Sequence, residues 1–290
     1  MQHRDVTFLS EDGLRLHARD HGPVEATRVA LLCLPGLTRN AKDFESIAGR
    51  LAEDRRVICP DFRGRGRSQY ASDPTTYRPD VEVADTLRLL DTLGIERAAI
   101  IGTSRGGIVA MVMATRAKDR MAGVLFNDIG PRIDKAGLLR IRTYLGNDPQ
   151  FGSWDDAVAA LKATNPGFET LTPAEWLVFA RRVFRDADGV PRADYDAGLT
   201  ATFPSAADIE DGKTPELWGL FDLLAGLPVA VLRGEHSDLL SAATVAEMVR
   251  QLPQTRATTV RNRGHVPFLD EPESLIAIDH WLADVDSRAT

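Results

Sequence analysis

The chain has 290 residues, 43% of them hydrophobic and 27% charged. That length suits one large domain, or one domain carrying a sizeable insertion, and the composition argues against global disorder. A formal charge of −7 supplies no net positive field for nucleic acid, and no apolar run approaches the roughly 20 residues that a membrane span needs. Neither nucleic acid nor membrane is therefore expected as a partner. Met1-Gln2-His3-Arg4-Asp5 has no apolar stretch behind it, so no signal peptide is expected, and the simplest location is the cytoplasm. Cys33 and Cys59 do not make a disulfide framework; each sits in an apolar run and reads as a small core hydrophobe.

In chain order, residues 6–9 and 14–18 flank Ser10-Glu11-Asp12-Gly13, and the Asp-Gly pair predicts a hairpin turn. Six short apolar or β-branched runs follow, at 29–34, 57–59, 98–101, 123–126, 229–232 and 258–260. Most lack alternation, as strands buried on both faces should. Helical patterns occupy 43–53, 81–93, 107–117, 244–252 and 272–285. Strand–helix alternation predicts an α/β fold with a mostly parallel sheet flanked by helices, and the opening hairpin gives it an antiparallel edge. The rhythm breaks between Pro131 and Asp222, where no buried strand is evident. Helical patterns at 137–145, 154–163, 173–184 and 215–224 fill that stretch, and Ser153 and Thr172 are good helix-start residues for two of them. A helical block inserted between two strands reads as a cap. The expected division is a core of residues 1–130 and 223–290 with a cap of residues 131–222.

Gly102-Thr103-Ser104-Arg105-Gly106 fits G-x-S-x-G. The pattern gains force from its setting, because it follows the apolar run 98–101 and opens the helical run 107–117. A serine on such a sharp turn is exposed at its tip, and the glycines let the flanking chain approach closely. Serine needs a base to take its proton, and a carboxylate to hold that base. Six histidines are available. His3, His17, His21 and His280 read as surface or packing residues. His236 and His265 both lie just past a strand, where parallel sheets place their sites. His265 is the expected base; His236 is the alternative, although its neighbour Asp238 fits the place of the acid better. His236, Asp238 and His265 are metal-binding residue types, but their spacing matches no common metal signature. Gly64-Arg65-Gly66-Arg67-Ser68-Gln69 lacks the third glycine of a dinucleotide site.

Five motifs stand in order: Leu34-Pro35-Gly36-Leu37, Asp61-Phe62-Arg63-Gly64-Arg65-Gly66-Arg67-Ser68, Gly102-Thr103-Ser104-Arg105-Gly106-Gly107, Gly234-Glu235-His236-Ser237-Asp238 and Gly264-His265. Through them the chain resembles the α/β-hydrolase superfamily over nearly its whole length. The resemblance implies Ser104 as nucleophile, His265 as base and then acid, and Asp238 as the carboxylate that orients it. It implies an oxyanion hole from the backbone N–H groups of Leu37 and Arg105. Many family members carry His-Gly where this chain has Pro35-Gly36, a change that touches only local loop packing. In some members the acid follows the strand before the cap, which makes Asp128 the alternative. Arg105 and Asp128 would then form an ion pair under the cap. Arg63, Arg65 and Arg67 read as solvated or paired arginines of a structural loop, and Arg140 and Arg142 either face solvent or meet a carboxylate.

The expectation is a serine hydrolase without cofactor or metal, a monomer or homodimer, cleaving a small-molecule carboxylic ester or lactone. The same triad serves C–C bond hydrolases acting on β-diketone-like ring-cleavage products. A ligand receptor or regulator that keeps the triad is the reading from another class, and a transferase would need an alcohol that outcompetes water.

Overall fold

The computed structural model describes residues 3–288, so the reading of Met1 and Gln2 lies outside the described residues. In chain order the chain forms β1 (Arg4–Leu9), β2 (Arg15–His21), β3 (Ala30–Leu34), α1 (Glu45–Leu51), β4 (Val57–Asp61), α2 (Pro79–Thr92), β5 (Ala98–Thr103), α3 (Arg105–Ala117) and β6 (Met121–Asn127). The segment that follows holds α4 (Lys135–Tyr144), α5 (Trp154–Thr164), α6 (Pro173–Val183), β7 (Phe184–Ala187), β8 (Val190–Ala193), α7 (Ala206–Glu210) and α8 (Trp218–Asp222). The chain closes with β9 (Val229–Gly234), α9 (Ala242–Gln251), β10 (Arg256–Val260) and α10 (Pro272–Asp286).

Eight strands make one sheet in the order β1-β2-β4-β3-β5-β6-β9-β10. β2 runs antiparallel to both β1 and β4, and every pairing from β4 to β10 is parallel. β4, β5 and β6 are buried along their whole length, which is why their sequences read as unbroken apolar runs. One core packs α2, α3, α8 and α9 against the first face through residues such as Leu89, Val109, Phe221 and Met248. The other packs α1 and α10 against the second face through Phe44, Ile47, Ile278 and Trp281. Trp281 is fully buried and donates its indole N–H to the Pro228 carbonyl at 3.2 Å, so its one polar atom is satisfied inside the core. Cys33 and Cys59 are free, buried and on the neighbouring strands β3 and β4. Burial, helped by Cys59, pushes the Cys33 thiol well up.

Residues 131–222 run between β6 and β9. Ser153 caps α5 by accepting from the Asp156 N–H at 3.2 Å, and Thr172 with Glu175 forms a capping box at the start of α6. The block is not purely helical. β7 and β8 pair across Asp188-Gly189, both at positive φ (54° and 88°), the geometry of a two-residue hairpin turn. That Asp-Gly pair carried the same signal as Asp12-Gly13, but the polar Phe184-Arg185-Asp186-Ala187 hid its strand. The block has an aromatic core of its own, in which Phe168 and Phe179 pack on Trp176 and, on the core side, on Phe268. It is also tied to the loop after β4. Gly66 N donates to the Asp194 carbonyl (2.9 Å), Asp196 N to the Gly64 carbonyl (2.8 Å), and the Tyr77 hydroxyl to the Asp196 carboxylate (2.5 Å). Among the described residues no helix is long and apolar enough to cross a membrane.

Candidate active site

Ser104 stands between the end of β5 and the first turn of α3, at φ 48° and ψ −110°. Such angles cost a non-glycine residue about 1–3 kcal/mol, so the surroundings must enforce them. They do: Ser104 N donates to the Asn127 carbonyl at 3.0 Å, and the Ser104 carbonyl accepts from Gly107 N at 2.9 Å. The helix must start this close to the strand, and only glycine allows it. A Cβ on Gly102 would lie 2.6 Å from Gly107 Cα, and one on Gly106 would collide with the Leu34 carbonyl.

His265 lies in the loop after β10. Ser104 Oγ donates to its Nε2 at 2.9 Å, and its Nδ1 donates to Asp128 Oδ2 at 2.7 Å. An ionised carboxylate only accepts, so Asp128 sets the tautomer, with the Nδ1 proton facing it and Nε2 free to receive the serine proton. Asp128 follows β6 and is fully buried. Its other donors are Gly234 N on Oδ1 (2.8 Å) and Ser237 Oγ on Oδ2 (2.6 Å). Three hydrogen bonds satisfy the buried charge.

This geometry corrects the placing of Asp238 beside His265. Asp238 instead takes both arms of the Arg140 guanidinium, Nε at 2.5 Å and Nη2 at 2.9 Å. Burial pushes Asp238 up, but Arg140 outweighs it with help from His265, and the carboxyl sits below its ordinary range. The physical reason is reach. β9 ends with its backbone N–H on Asp128, and the 235–240 loop then leads Asp238 towards α4, where Arg140 waits. The expected Arg105–Asp128 ion pair is absent as well. Arg105 Nε donates to Glu82 Oε2 at 2.7 Å, and its Nη2 to the Tyr77 carbonyl at 2.9 Å. Arg63 and Arg65 are paired and buried rather than solvated, on Asp85 with Asp12 and on Glu82 respectively, while Arg67 is an exposed partner of Asp5. His236 is half-exposed beside Glu235.

Of the two expected oxyanion donors, Arg105 directly follows Ser104 and Leu37 lines the same cavity as Ser104. Arg105 is the first residue of α3, so its N–H has no acceptor within the helix. The 36–37 turn lies against the serine; a Cβ on Gly36 would be 3.9 Å from Ser104 Cβ. Gly36, Leu37, Ser104 and His265 share one cavity of about 310 Å³. Phe151, Phe179, Phe184 and Phe268 give it apolar walls, and α4, α5 and α6 all contribute to its lining. Two residues had no signal in the sequence. Asn127 donates to the Pro267 carbonyl at 3.0 Å, tying the end of β6 to the loop of His265, and Ser237 holds Asp128.

A family model described as the alpha/beta hydrolase family matches residues 31–278. The chain belongs to the alpha/beta hydrolase family. A 3-hydroxybutyrate-oligomer hydrolase of Cupriavidus necator is 33% identical over 278 residues, with 94% of each chain covered. A 2-(acetamidomethylene)succinate hydrolase of Mesorhizobium japonicum is 27% identical over 93% of this chain and 91% of its own. Among solved structures, an alpha/beta hydrolase from Novosphingobium aromaticivorans is 43% identical, covers 97% of this chain and 98% of that one, and superposes with a TM-score of 0.89. These relatives are hydrolases. Ser104, Asp128 and His265 meet at the carboxyl ends of the parallel strands, where open α/β sheets generally bind their ligands.

Proposed function

We propose that the protein is a serine hydrolase of carboxylic esters, with Ser104 as nucleophile, His265 as base and Asp128 as the carboxylate that orients it. The observation that carries this reading is the continuous hydrogen-bonded line from Ser104 Oγ through His265 to Asp128. Ser104 Oγ attacks the ester carbonyl carbon while its proton passes to His265 Nε2. The oxyanion accepts from the N–H groups of Leu37 and Arg105, each worth on the order of 3 kcal/mol of barrier. The C–O bond to the leaving group then breaks, and His265 returns the proton to the departing alkoxide. Water enters, gives its proton to His265 and attacks the acyl-serine. Acid is released and Ser104 recovers its proton.

Residues 131–222 act as a cap in this reading, since their helices wall the cavity and exclude water from the acyl group. Two arginines, Arg39 and Arg182, also line the cavity. Arg39 is occupied by a bidentate pair with Asp43. Arg182 is paired only at 3.6 Å, with Asp270, and lies over the Phe268 ring at 5.8 Å. A loosely paired, largely buried guanidinium suits a carboxylate on the substrate. Short hydroxy-acid esters and their oligomers combine an ester with such a carboxylate, and the Cupriavidus relative supports that class.

The test is fluorophosphonate labelling followed by a panel of neutral esters, hydroxy-acid oligoesters, lactones and β-diketones. Wild-type protein is expected to label once and to turn over esters, and Ser104→Ala to do neither. Labelling that survives in Ser104→Ala, or faster cleavage of the diketone, would overturn the reading. Arg182→Gln is expected to raise KM about tenfold for esters bearing a carboxylate and to leave neutral esters near wild type. Equal effects on both would remove the carboxylate site.

A further inference from the structure

A buried charge cluster lies behind Ser104 that the steps above do not use. Glu82 on α2 and Arg65 in the loop after β4 are fully buried, and Arg105 is largely so. Glu82 faces both arginines, with Oε2 accepting from Arg105 Nε at 2.7 Å and Oε1 3.0 Å from Arg65 Nη1. Arg65 reaches on to the oxyanion turn, where its Nε donates to the Leu37 carbonyl at 2.8 Å, while its Nη1 donates to the Arg63 carbonyl at 2.6 Å. Its guanidinium lies over the rings of Phe62 and Tyr77, at 5.8 and 5.6 Å. The two ends of the cluster are therefore Leu37 and Arg105, the residues whose N–H groups serve the oxyanion. They belong to separate elements, the turn after β3 and the start of α3, and Glu82 stands between their supports.

We propose that Glu82 is a positioning residue that holds the two oxyanion donors at a fixed separation through Arg65 and Arg105. The proposal rests on the serine-hydrolase reading. Its energetic logic is that a buried ion network rarely adds stability over well-packed apolar side chains, so stability alone is a weak reason to build one here. What it does supply is geometry, because one carboxylate joins both supports, with Oε2 accepting from Arg105 Nε and Oε1 lying 3.0 Å from Arg65 Nη1, while Arg65 in turn holds the Leu37 carbonyl.

The test uses the full chain with Glu82→Gln, which keeps the shape and removes the charge. The rate constant for phosphonylation of Ser104 by a fluorophosphonate is expected to fall about 10- to 100-fold, and kcat for p-nitrophenyl butyrate by the same factor, with KM within about twofold. A merely structural role would not divide kcat from KM in this way. A folded Glu82→Gln that reacts as fast as wild type, or that changes KM alone, overturns the proposal. Should that variant fail to fold, Arg105→Met removes one arm of the cluster at its most exposed member. It is expected to slow phosphonylation about 5- to 20-fold at unchanged KM, and a wild-type rate overturns the proposal. Wild-type protein inert to the fluorophosphonate would overturn the serine reading itself, and this proposal with it.

Discussion

The loops after β6 and β9 each carry an aspartate near His265, and they use it in opposite ways. Asp128 sits at the strand end itself, at φ 57°, closed off from solvent and fed by three donors. Asp238 comes after a further turn, keeps a quarter of its side chain exposed, and spends both oxygens on Arg140 from α4. One loop fixes a carboxylate on His265; the other fixes the segment 131–222 to the sheet. The difference lies in what the neighbouring elements donate, since residue type and distance from the strand would have admitted either.

The largest way to break this comparison is Asp128→Asn. The amide can present its NH₂ to His265 Nδ1, which reverses the tautomer and turns Nε2 away from its role as acceptor. In the proposed mechanism kcat falls about 10⁴-fold with KM little changed, measured on an activated ester. Asp238→Asn is expected to keep kcat within about tenfold. If the two effects were exchanged, the carboxylates would have to be exchanged too.

Ser237 crosses between the two loops, and so sharpens the comparison. It belongs to the β9 loop, yet its hydroxyl donates to Asp128 Oδ2 and accepts from Leu239 N and Leu240 N at 3.3 and 3.1 Å. Ser237→Ala removes one charged hydrogen bond, worth about 1.5–3 kcal/mol. Part of that is expected to appear as a roughly tenfold loss of kcat on the same ester, far short of Asp128→Asn. A loss as large as that of Asp128→Asn would mean that the hydroxyl, rather than the carboxylate, holds the imidazole.

Ser104 and the eight strands were legible because their constraints are local. A strand buried on both faces, as β4, β5 and β6 are, must be apolar, the Asp12-Gly13 turn marks β1 and β2, and a serine on a sharp turn must have glycines beside it, as Gly102 and Gly106 are. His265 was legible through its place after the last strand. The carboxylate that meets His265 was not, because the motif Gly234-Glu235-His236-Ser237-Asp238 matches equally well whether Asp238 or Ser237 turns inward. What decides is Arg140, nearly a hundred positions away in sequence, with no local mark that it would face Asp238. The same holds for Glu82, an ordinary acidic residue in a helical pattern until Arg65 and Arg105 fold around it. The β7–β8 hairpin was hidden for a different reason. Its Asp188-Gly189 turn was visible, but a strand with Arg185 and Asp186 facing solvent has no apolar run to announce it.

The smallest expected effect concerns stability, and it separates the loops by pH. Arg140 holds the Asp238 carboxyl below its ordinary range, despite burial pushing the other way. A carboxylate whose folded value is lowered adds stability that is fully present above its unfolded value, about 3.9, and is lost as pH falls through the folded one. Asp238→Asn is therefore expected to cost about 1–3 kcal/mol near pH 7, since it breaks a half-buried pair and leaves Arg140 without its charge partner. Thermal melts of wild type and variant, compared from pH 7 downward, are expected to show a gap that holds to about pH 4 and narrows below it. A gap that stays constant to pH 3 would mean that Asp238 stabilises the protein by packing rather than by its charge. That result would leave the contacts of Asp128 with His265 untouched, but the two aspartates would no longer be contrasted as charges with different partners.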